Sequence, residues 1–171
     1  MVLRRWVGTQ KDHVRRGRRA ASGRAAASSS SVALREPKPE DTAAIAALLG
    51  DLGYPSTADQ AAERLARITG DPSTLAVVAE VEGEVAGLAA LHVQNLVERD
   101  EPGCEVAALV VGERYRRRGI GELLMLAIED EARKRGAKYL VLNTAHRRAD
   151  AHAFYETLGY EHTGRRYSKE L

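Results

Sequence analysis

The stretch of sequence that decides the fold is LVVGERYRRRGIGE, which runs from Leu109 to Glu122. It begins with the end of an apolar run, 105–111, that is typical of a buried strand. A basic turn follows, and Ile120 then opens the longest helical pattern of the chain, with apolar residues three and four positions apart. The N–H groups of a first helical turn are unpaired and point outward, so this junction predicts a phosphate-binding turn.

The composition of the turn suits a phosphate or a pyrophosphate. Three consecutive arginines, 116–118, supply positive charge, and Gly119 and Gly121 would let a ligand approach the backbone closely. The alternative is a solvated basic turn before an ordinary helix. Leu124 stands where a G-x-G-x-x-G motif needs its third glycine, and the chain has no Walker-type G-K-[ST], which argues against an NAD or ATP site.

Outward from this stretch, hydrophobic periodicity and turn signals predict an ordered alternation of strands and helices. The predicted strands are 31–35, 74–81, 85–93, 105–111, 139–143 and 160–169, and the predicted helices are 40–52, 57–70, 120–135 and 151–158. Thr57 with Gln60 three residues later is a capping-box signature for the second helix. The element order predicts an α/β (α+β) fold, in which a mixed sheet carries helices on its faces.

The overall composition bounds the class of protein. The chain has 171 residues, 44% of them hydrophobic, and a formal net charge of +2, which fits a single domain. No apolar run reaches the 18 or more residues of a membrane-spanning helix. Cys104 is the single cysteine, so an internal disulfide or a Cys-cluster metal site is excluded, and we expect a reduced, cytoplasmic setting.

The charges are divided unevenly along the chain. Residues 1–33 carry eight basic side chains and one acidic side chain, whereas the remainder has an acidic excess. We therefore expect a disordered basic tail at 1–31 and one domain at 32–171. An organelle transit peptide or an arm that binds nucleic acid nonspecifically are the alternatives to a tail without a dedicated role.

With these motifs, the chain resembles the GNAT superfamily of acetyl-CoA-dependent N-acetyltransferases. The turn 116–121 fits the family's [RQ]-x-x-G-x-[GA] pyrophosphate loop, and the run 109–111 fits the strand that precedes it. The segment 151–160, AHAFYETLGY, fits the family's downstream A-x-x-F-Y-E-x-x-G-[FY] pattern. The resemblance covers roughly residues 32–171. It implies a mixed, mostly antiparallel central sheet with helices on both faces.

The resemblance also implies a cosubstrate, acetyl-CoA. No spacing of His, Asp or Glu residues in the sequence suggests a metal, so we expect none. In this family the strand before the loop pairs its backbone with the pantetheine arm, and the loop binds the pyrophosphate. A polar residue after the next strand often holds the pantetheine or orders water, and for Asn143 the alternative is that it caps the turn. The residues carried over to cofactor binding are Leu109, Val110, Val111, Arg116, Arg117, Arg118, Gly119, Ile120, Gly121, Glu122 and Asn143.

The reaction needs a base for the ammonium proton, donors for the oxyanion and an acid for the departing thiolate. Family members often place a tyrosine near the CoA sulfur, which implies Tyr155 as the acid, although an aromatic anchor is the alternative. Glu105 lies where some relatives carry a working carboxylate. His92, on the preceding strand, could relay a proton near neutral pH. A salt-bridged or surface side chain is the alternative for both.

The sequence departs from the family pattern at Arg148, which stands where many relatives have an asparagine that contacts CoA. We therefore expect the adenosine side of the CoA site to rely on the charge of an arginine instead of on an amide.

The resemblance is to small-amine acetyltransferases, including aminoglycoside 6'-N-acetyltransferase-like and aminoalkylphosphonate-acetylating members. We expect acetyl transfer to a primary amine of a small molecule, with no specific nucleic acid and no membrane as partner, and a homodimer stays open. A protein or peptide N-acetyltransferase and a non-catalytic acyl-CoA-binding regulator are the alternatives. A nucleic-acid-binding module that acts through the tail comes third.

Overall fold

The computed structural model describes residues 31–145 and 148–170. All of the expected tail except Ser31 therefore lies outside the described residues. The strands are β1 Val32–Arg35, β2 Thr74–Val81, β3 Glu84–Gln94, β4 Gly103–Val111 and β5 Leu140–Leu142, and the helices are α1 Thr42–Leu52, α2 Ala58–Gly70, α3 Ile120–Lys134 and α4 Ala149–Thr157. Short 3-10 turns at Pro39–Asp41 and Glu113–Tyr115 precede α1 and α3.

The five strands form one sheet in the order β1-β2-β3-β4-β5. The first four are antiparallel neighbours, and β5 runs parallel to β4. The β2–β3 hairpin turns through Glu82 and Gly83, whose φ angles of 52° and 84° are both positive, as a two-residue hairpin turn that follows the twist of its strands requires. The mixed, mostly antiparallel sheet predicted above is confirmed.

Two hydrophobic cores cover the two faces of this sheet. On one face, Ile45 and Leu48 of α1 pack in the same core as Val78 of β2. On the other face, Leu124 of α3 packs in the same core as Ala79. Val78 and Ala79 are neighbours in sequence and point to opposite faces, because side chains alternate along a strand. The predicted helices on both faces are therefore confirmed.

The residues at the helix ends form the capping interactions that the sequence predicts. The backbone N–H of Gln60 donates to the Thr57 hydroxyl at 3.2 Å, and that of Thr57 donates to the Gln60 side chain at 3.0 Å, so the capping box of α2 is complete. Gly53, at φ 102°, ends α1 in the left-handed conformation that glycine adopts at little cost. In the described parts of the chain, no helix is both long and apolar enough to cross a membrane.

The predicted final strand at 160–169 is wrong. Residues 160–170 form no strand, and from Glu161 onward every described side chain is exposed. The segment carries mostly charged and polar side chains around Gly164, so pairing it would bury little apolar surface, and β-propensity alone does not make a strand. The described sheet therefore ends at β5.

Candidate active site

Strand β4 has an open edge at its carboxyl-terminal half. It pairs with β5 only over Cys104–Val106, although it continues to Val111. Opposite β3, the register shifts between Ala90 and Leu91, which leaves Ala107 as a bulge in β4. From this bulge to Val111, β4 has no strand partner on its β5 side among the described residues, so backbone groups there are available to a ligand.

Three side chains of this open stretch pack in or against the two cores, whereas that of the bulge residue Ala107 is exposed. Val110 is buried with α1 and α2, whereas Leu109 and Val111 pack against the core on the α3 side. We therefore expect these three residues to contribute to cofactor binding mainly through their backbone. The backbone pairing that the sequence resemblance implies stays a prediction.

Helix α3 follows the open edge after the turn 112–119, and its N-terminus is open at Gly119. Gly119 is its N-cap at φ 79°, and no heavy atom lies within 4 Å of the position that a Cβ would take. The first backbone hydrogen bond of the helix runs from the N–H of Leu123 to the carbonyl of Gly119, at 3.1 Å. The preceding N–H groups therefore stay free at the positive end of the helix dipole.

The three arginines of the turn have different surroundings. Arg116 donates from Nε to the carbonyl of Val111 at 3.0 Å, which closes the turn onto the end of β4. Arg117 adopts a positive φ of 62° and lies 3.7 Å from Asp150 in an exposed ion pair. The Arg118 guanidinium lies 5.6 Å from the ring centroid of Tyr115. All three side chains are exposed and remain available to an anion.

Tyr115 holds this turn in place, although sequence reasoning did not identify it as a site residue. It is buried, and its hydroxyl donates to the carboxylate of Glu84 at 2.6 Å. Arg114 also donates to that carboxylate, and its guanidinium lies 4.8 Å from the Tyr115 ring centroid. The turn is therefore pinned to the first residue of β3.

The remaining predicted residues of the turn divide into backbone and surface positions. Ile120 is buried in the core, so it can offer a ligand only its backbone. A Cβ on Gly121 would lie 3.3 Å from the ring of Phe154, so this glycine makes room for α4. Glu122 is exposed, and its negative charge adds nothing to an anion site.

Glu105 and Asn143, both singled out from the sequence, lie together. The Asn143 amide donates to one carboxylate oxygen of Glu105 at 2.8 Å, and the Gln94 amide donates to the other at 2.5 Å. His92 lies directly opposite Glu105 on β3, but neither carboxylate oxygen accepts a hydrogen bond from it. Glu105 is thus held between strands β3 and β5, close to the bulge in β4.

Tyr155 lies on α4 among aromatic side chains. Its ring centroid is 5.3 Å from that of Phe154 and 6.0 Å from that of Tyr160, both in edge-on arrangements. Burial raises the pKa of the Tyr155 phenol, and the nearby positive charge of Arg148 partly opposes this effect. The phenol therefore keeps its proton at neutral pH.

Arg148 contacts the loop between α1 and α2. Its guanidinium donates to the carbonyl of Leu52, the last residue of α1, and lies close to Gly53. A cation is favourable there, because the last carbonyls of a helix lack partners within the helix. The contact ties the start of α4 to the α1–α2 loop.

Two concavities lie near these groups. An open groove of about 510 Å³ runs between α1 and the turn 112–115, but its lining includes neither the β4 bulge nor Tyr155. A smaller apolar cavity of about 90 Å³ lies between α1, α2 and the sheet, and it reaches Ala108 next to the bulge. The smaller cavity is therefore the one adjacent to the open edge of β4.

Sequence reasoning missed two polar residues of this region. Gln94 could have been found from the hairpin register, because it shares a face with His92 and lies diagonally opposite Glu105. Arg64 stands on the apolar stripe of α2, between Ala61 and Ile68, and lines the smaller cavity. An arginine at a core-facing position of an amphipathic helix was the available signal. Within the described residues, no cluster of His, Cys, Asp or Glu could hold a metal ion.

Comparison with known proteins shows the family to which the chain belongs. Residues 42–160 match the model of the Acetyltransferase (GNAT) family. The chain is 34% identical over 143 residues to the aminoalkylphosphonate N-acetyltransferase of Salmonella typhimurium, an alignment that covers 81% of this chain and 90% of that protein.

Solved structures share the fold, among them a transcriptional regulator and an aminoglycoside N-acetyltransferase. A transcriptional regulator from Bacillus halodurans aligns with a TM-score of 0.76 at 21% identity, covering 82% of this chain and 99% of its own. An aminoglycoside N-acetyltransferase in complex with CoA aligns with a TM-score of 0.73 at 17% identity, covering 83% of this chain and 95% of its own. At these identities, the two alignments show likeness of fold alone.

Proposed function

Since the chain belongs to the GNAT family of acetyltransferases, we propose that it transfers the acetyl group of acetyl-CoA to the primary amine of a small molecule. The observation that carries the proposal is the junction of the open β4 edge with the unobstructed α3 N-terminus at Gly119. The aminoalkylphosphonate-acetylating relative supports a small amine as the acceptor.

The residues present fit the cosubstrate. A diphosphate suits the free N–H groups of the first α3 turn, the open space at Gly119 and the three exposed arginines at 116–118. A pantetheine arm would find, along 107–111, a β4 backbone that has no strand partner on its β5 side. When bound, acetyl-CoA supplies an activated thioester. The polar side chain that we propose for the pantetheine is Asn143.

Direct transfer needs two proton movements. The amine nitrogen forms a bond to the acetyl carbon, the carbon–sulfur bond breaks, and the ammonium loses a proton. We assign that proton to Glu105, whose carboxylate keeps lone pairs free beside its two amide donors. We assign the proton that reaches the departing sulfur to Tyr155, which burial keeps protonated. A backbone N–H of the open β4 stretch serves the oxyanion.

The proposal is tested by incubating the full chain with acetyl-CoA and a panel of short primary amines, polyamines, aminoglycosides and peptides. Free thiol is measured, and mass spectrometry identifies the acetylated product. We expect stoichiometric acetylation of at least one small amine. Thiol release only with peptides, or CoA binding without transfer to any acceptor, would contradict the proposal.

A further inference from the structure

The cavity between α1, α2 and the sheet has a lining of two chemical kinds. The lining includes Ala108, the residue after the β4 bulge, and consists mostly of aliphatic side chains of both helices and the sheet. Arg64 of α2 is the one charged residue among its lining residues. At about 90 Å³ it is well below the roughly 300–1,000 Å³ of sites that enclose drug-sized ligands, so it suits a short chain.

The charge of Arg64 is not neutralised by any described residue. Its guanidinium donates to the hydroxyl of Ser56 at 2.6 Å, and that hydroxyl donates to the carbonyl of Tyr54 at 2.8 Å. None of the ion pairs formed within residues 31–145 and 148–170 includes Arg64. The side chain is half-buried, and a partly desolvated cation with a single neutral acceptor retains donors for an anion.

A second unneutralised guanidinium binds the same loop. Arg148 donates to the carbonyl of Leu52, which is also a neutral acceptor, and it too lacks an ion pair with any described residue. The loop that joins α1 to α2 is thus held by two arginines and by no carboxylate. A guanidinium without an ion-pair partner keeps N–H donors and a charge that can bind an acidic group of a ligand.

We propose, on the basis of the function proposed above, that this cavity is the acceptor pocket and that Arg64 binds an oxyanion on the acceptor. The substrate class is a short primary amine with a distal phosphonate, phosphate or carboxylate. Its amine lies at the β4 bulge beside Ala108, its alkyl chain lies along the aliphatic walls, and its oxyanion meets the guanidinium. A planar guanidinium matches such oxyanions in geometry and charge.

The experiment compares acceptors that differ only at the distal end. The full chain is assayed with acetyl-CoA and 2-aminoethylphosphonate, O-phosphoethanolamine, 3-aminopropionate or propylamine, and kcat and KM are measured separately. We expect a lower KM for at least one anionic amine than for propylamine. Arg64→Gln should raise the KM of the anionic amines by about 10-fold or more, because the variant removes a charge-assisted hydrogen bond to the oxyanion. The KM of propylamine should stay the same.

Two further variants control the result. Arg67→Gln makes the same charge change one turn along α2, at an exposed position outside the cavity lining, and should leave every KM unchanged. Arg64→Lys keeps a point charge and should recover part of the affinity for the anionic amines.

The possible failures are distinct. Equal KM values for anionic and neutral amines, or an equal effect of Arg64→Gln on both, would overturn the acceptor assignment while acetyl transfer stands. Absence of transfer to every amine would overturn the proposed function itself. If Arg64→Gln does not fold, calorimetric titration of 2-aminoethylphosphonate onto Arg64→Lys and the unchanged chain decides, and equal affinity would contradict the inference.

Discussion

The amide of Asn143 lies 2.8 Å from a carboxylate oxygen of Glu105, although 38 residues separate them in sequence. The contact exists because β5 pairs in parallel with β4 and places Val141 beside Glu105, two residues before Asn143. The Gln94 amide holds the second carboxylate oxygen from β3. The carboxylate is therefore fixed at the point where β4 and β5 part, which is where an acceptor amine has to lose its proton in the proposed reaction.

Replacement of Glu105 by glutamine tests its role as the base. We expect kcat/KM to fall by about 10²–10⁴ at neutral pH, because a positioned base contributes about this much. The deficit should shrink as pH rises, since more of the amine is then already neutral. Glu98→Gln, in the exposed loop between β3 and β4, is the matched control and should have no effect. If His92→Gln removes the acidic limb of the pH profile and Glu105→Gln does not, His92 is the base.

A substitution at Gly119 tests the proposed binding site for acetyl-CoA. Gly119→Glu adds a side chain and a negative charge where a diphosphate would lie, so we expect calorimetry to show loss of acetyl-CoA binding with an intact fold. Gly136→Glu is a closely matched control, because Gly136 has the same φ of 79°, has no heavy atom near its Cβ position and follows the opposite end of α3. Near-normal CoA affinity in a folded Gly119→Glu variant would contradict the assignment.

Tyr155→Phe separates chemistry from binding. It keeps the ring contacts with Phe154 and Tyr160 and removes the proton. We expect turnover to fall by about 10²–10⁴ with little change in CoA affinity. The control is Tyr160→Phe, which removes a hydroxyl that donates to Glu129 at 3.2 Å and should leave turnover near normal. A loss of less than about threefold across the pH range would mean that Tyr155 is structural.

Replacement of Asp41 tests how much its buried hydrogen bonds at the start of α1 contribute to the free energy of unfolding. It is 7% exposed and accepts hydrogen bonds from Arg35 at 2.6 and 2.9 Å and from the backbone of Lys38 at 2.7 Å. We expect Asp41→Asn to lower the free energy of unfolding in urea by about 2 kcal/mol at pH 7, as for hydrogen bonds to charged groups. Asp51→Asn, exposed near the end of the same helix, should change it by less than about 0.5 kcal/mol.

The same variant has a defined pH dependence. The Arg35 guanidinium holds the pKa of Asp41 below its usual value of 3.8. A lowered pKa in the folded state stabilises the protein above the unfolded value, and this contribution is lost as pH falls through the folded value. The difference between the original chain and Asp41→Asn should therefore be constant above about pH 5 and should narrow below pH 4. An unchanged difference at pH 3 would contradict this account.

Removal of residues 1–31 tests the proposed domain boundary. Among the described residues, the members of the two hydrophobic cores lie at or after Val32, and we expect turnover and melting temperature to stay the same. A truncated chain that melts several degrees lower would show that the domain boundary was placed wrongly.

The elements that depend on nearby residues were determined by the sequence alone. The Thr57–Gln60 capping box, the β2–β3 hairpin and the glycine turn before α3 are complete within a few residues, so their patterns carry enough information to predict them. The motifs at 116–121 and 151–160 sufficed to indicate the family for the same reason. The open space at Gly119 follows from a local turn at a helix start.

Only the tertiary structure decided the rest. The two amide partners of Glu105, the contact of Arg148 with Leu52 and the placement of Arg64 in a cavity all depend on strand register and helix docking between distant segments. The predicted final strand was wrong because the exposed segment after Tyr160 carries mostly charged and polar side chains and has no apolar face to bury. Strand pairing is a property of the partner as much as of the segment, and a single segment does not contain it.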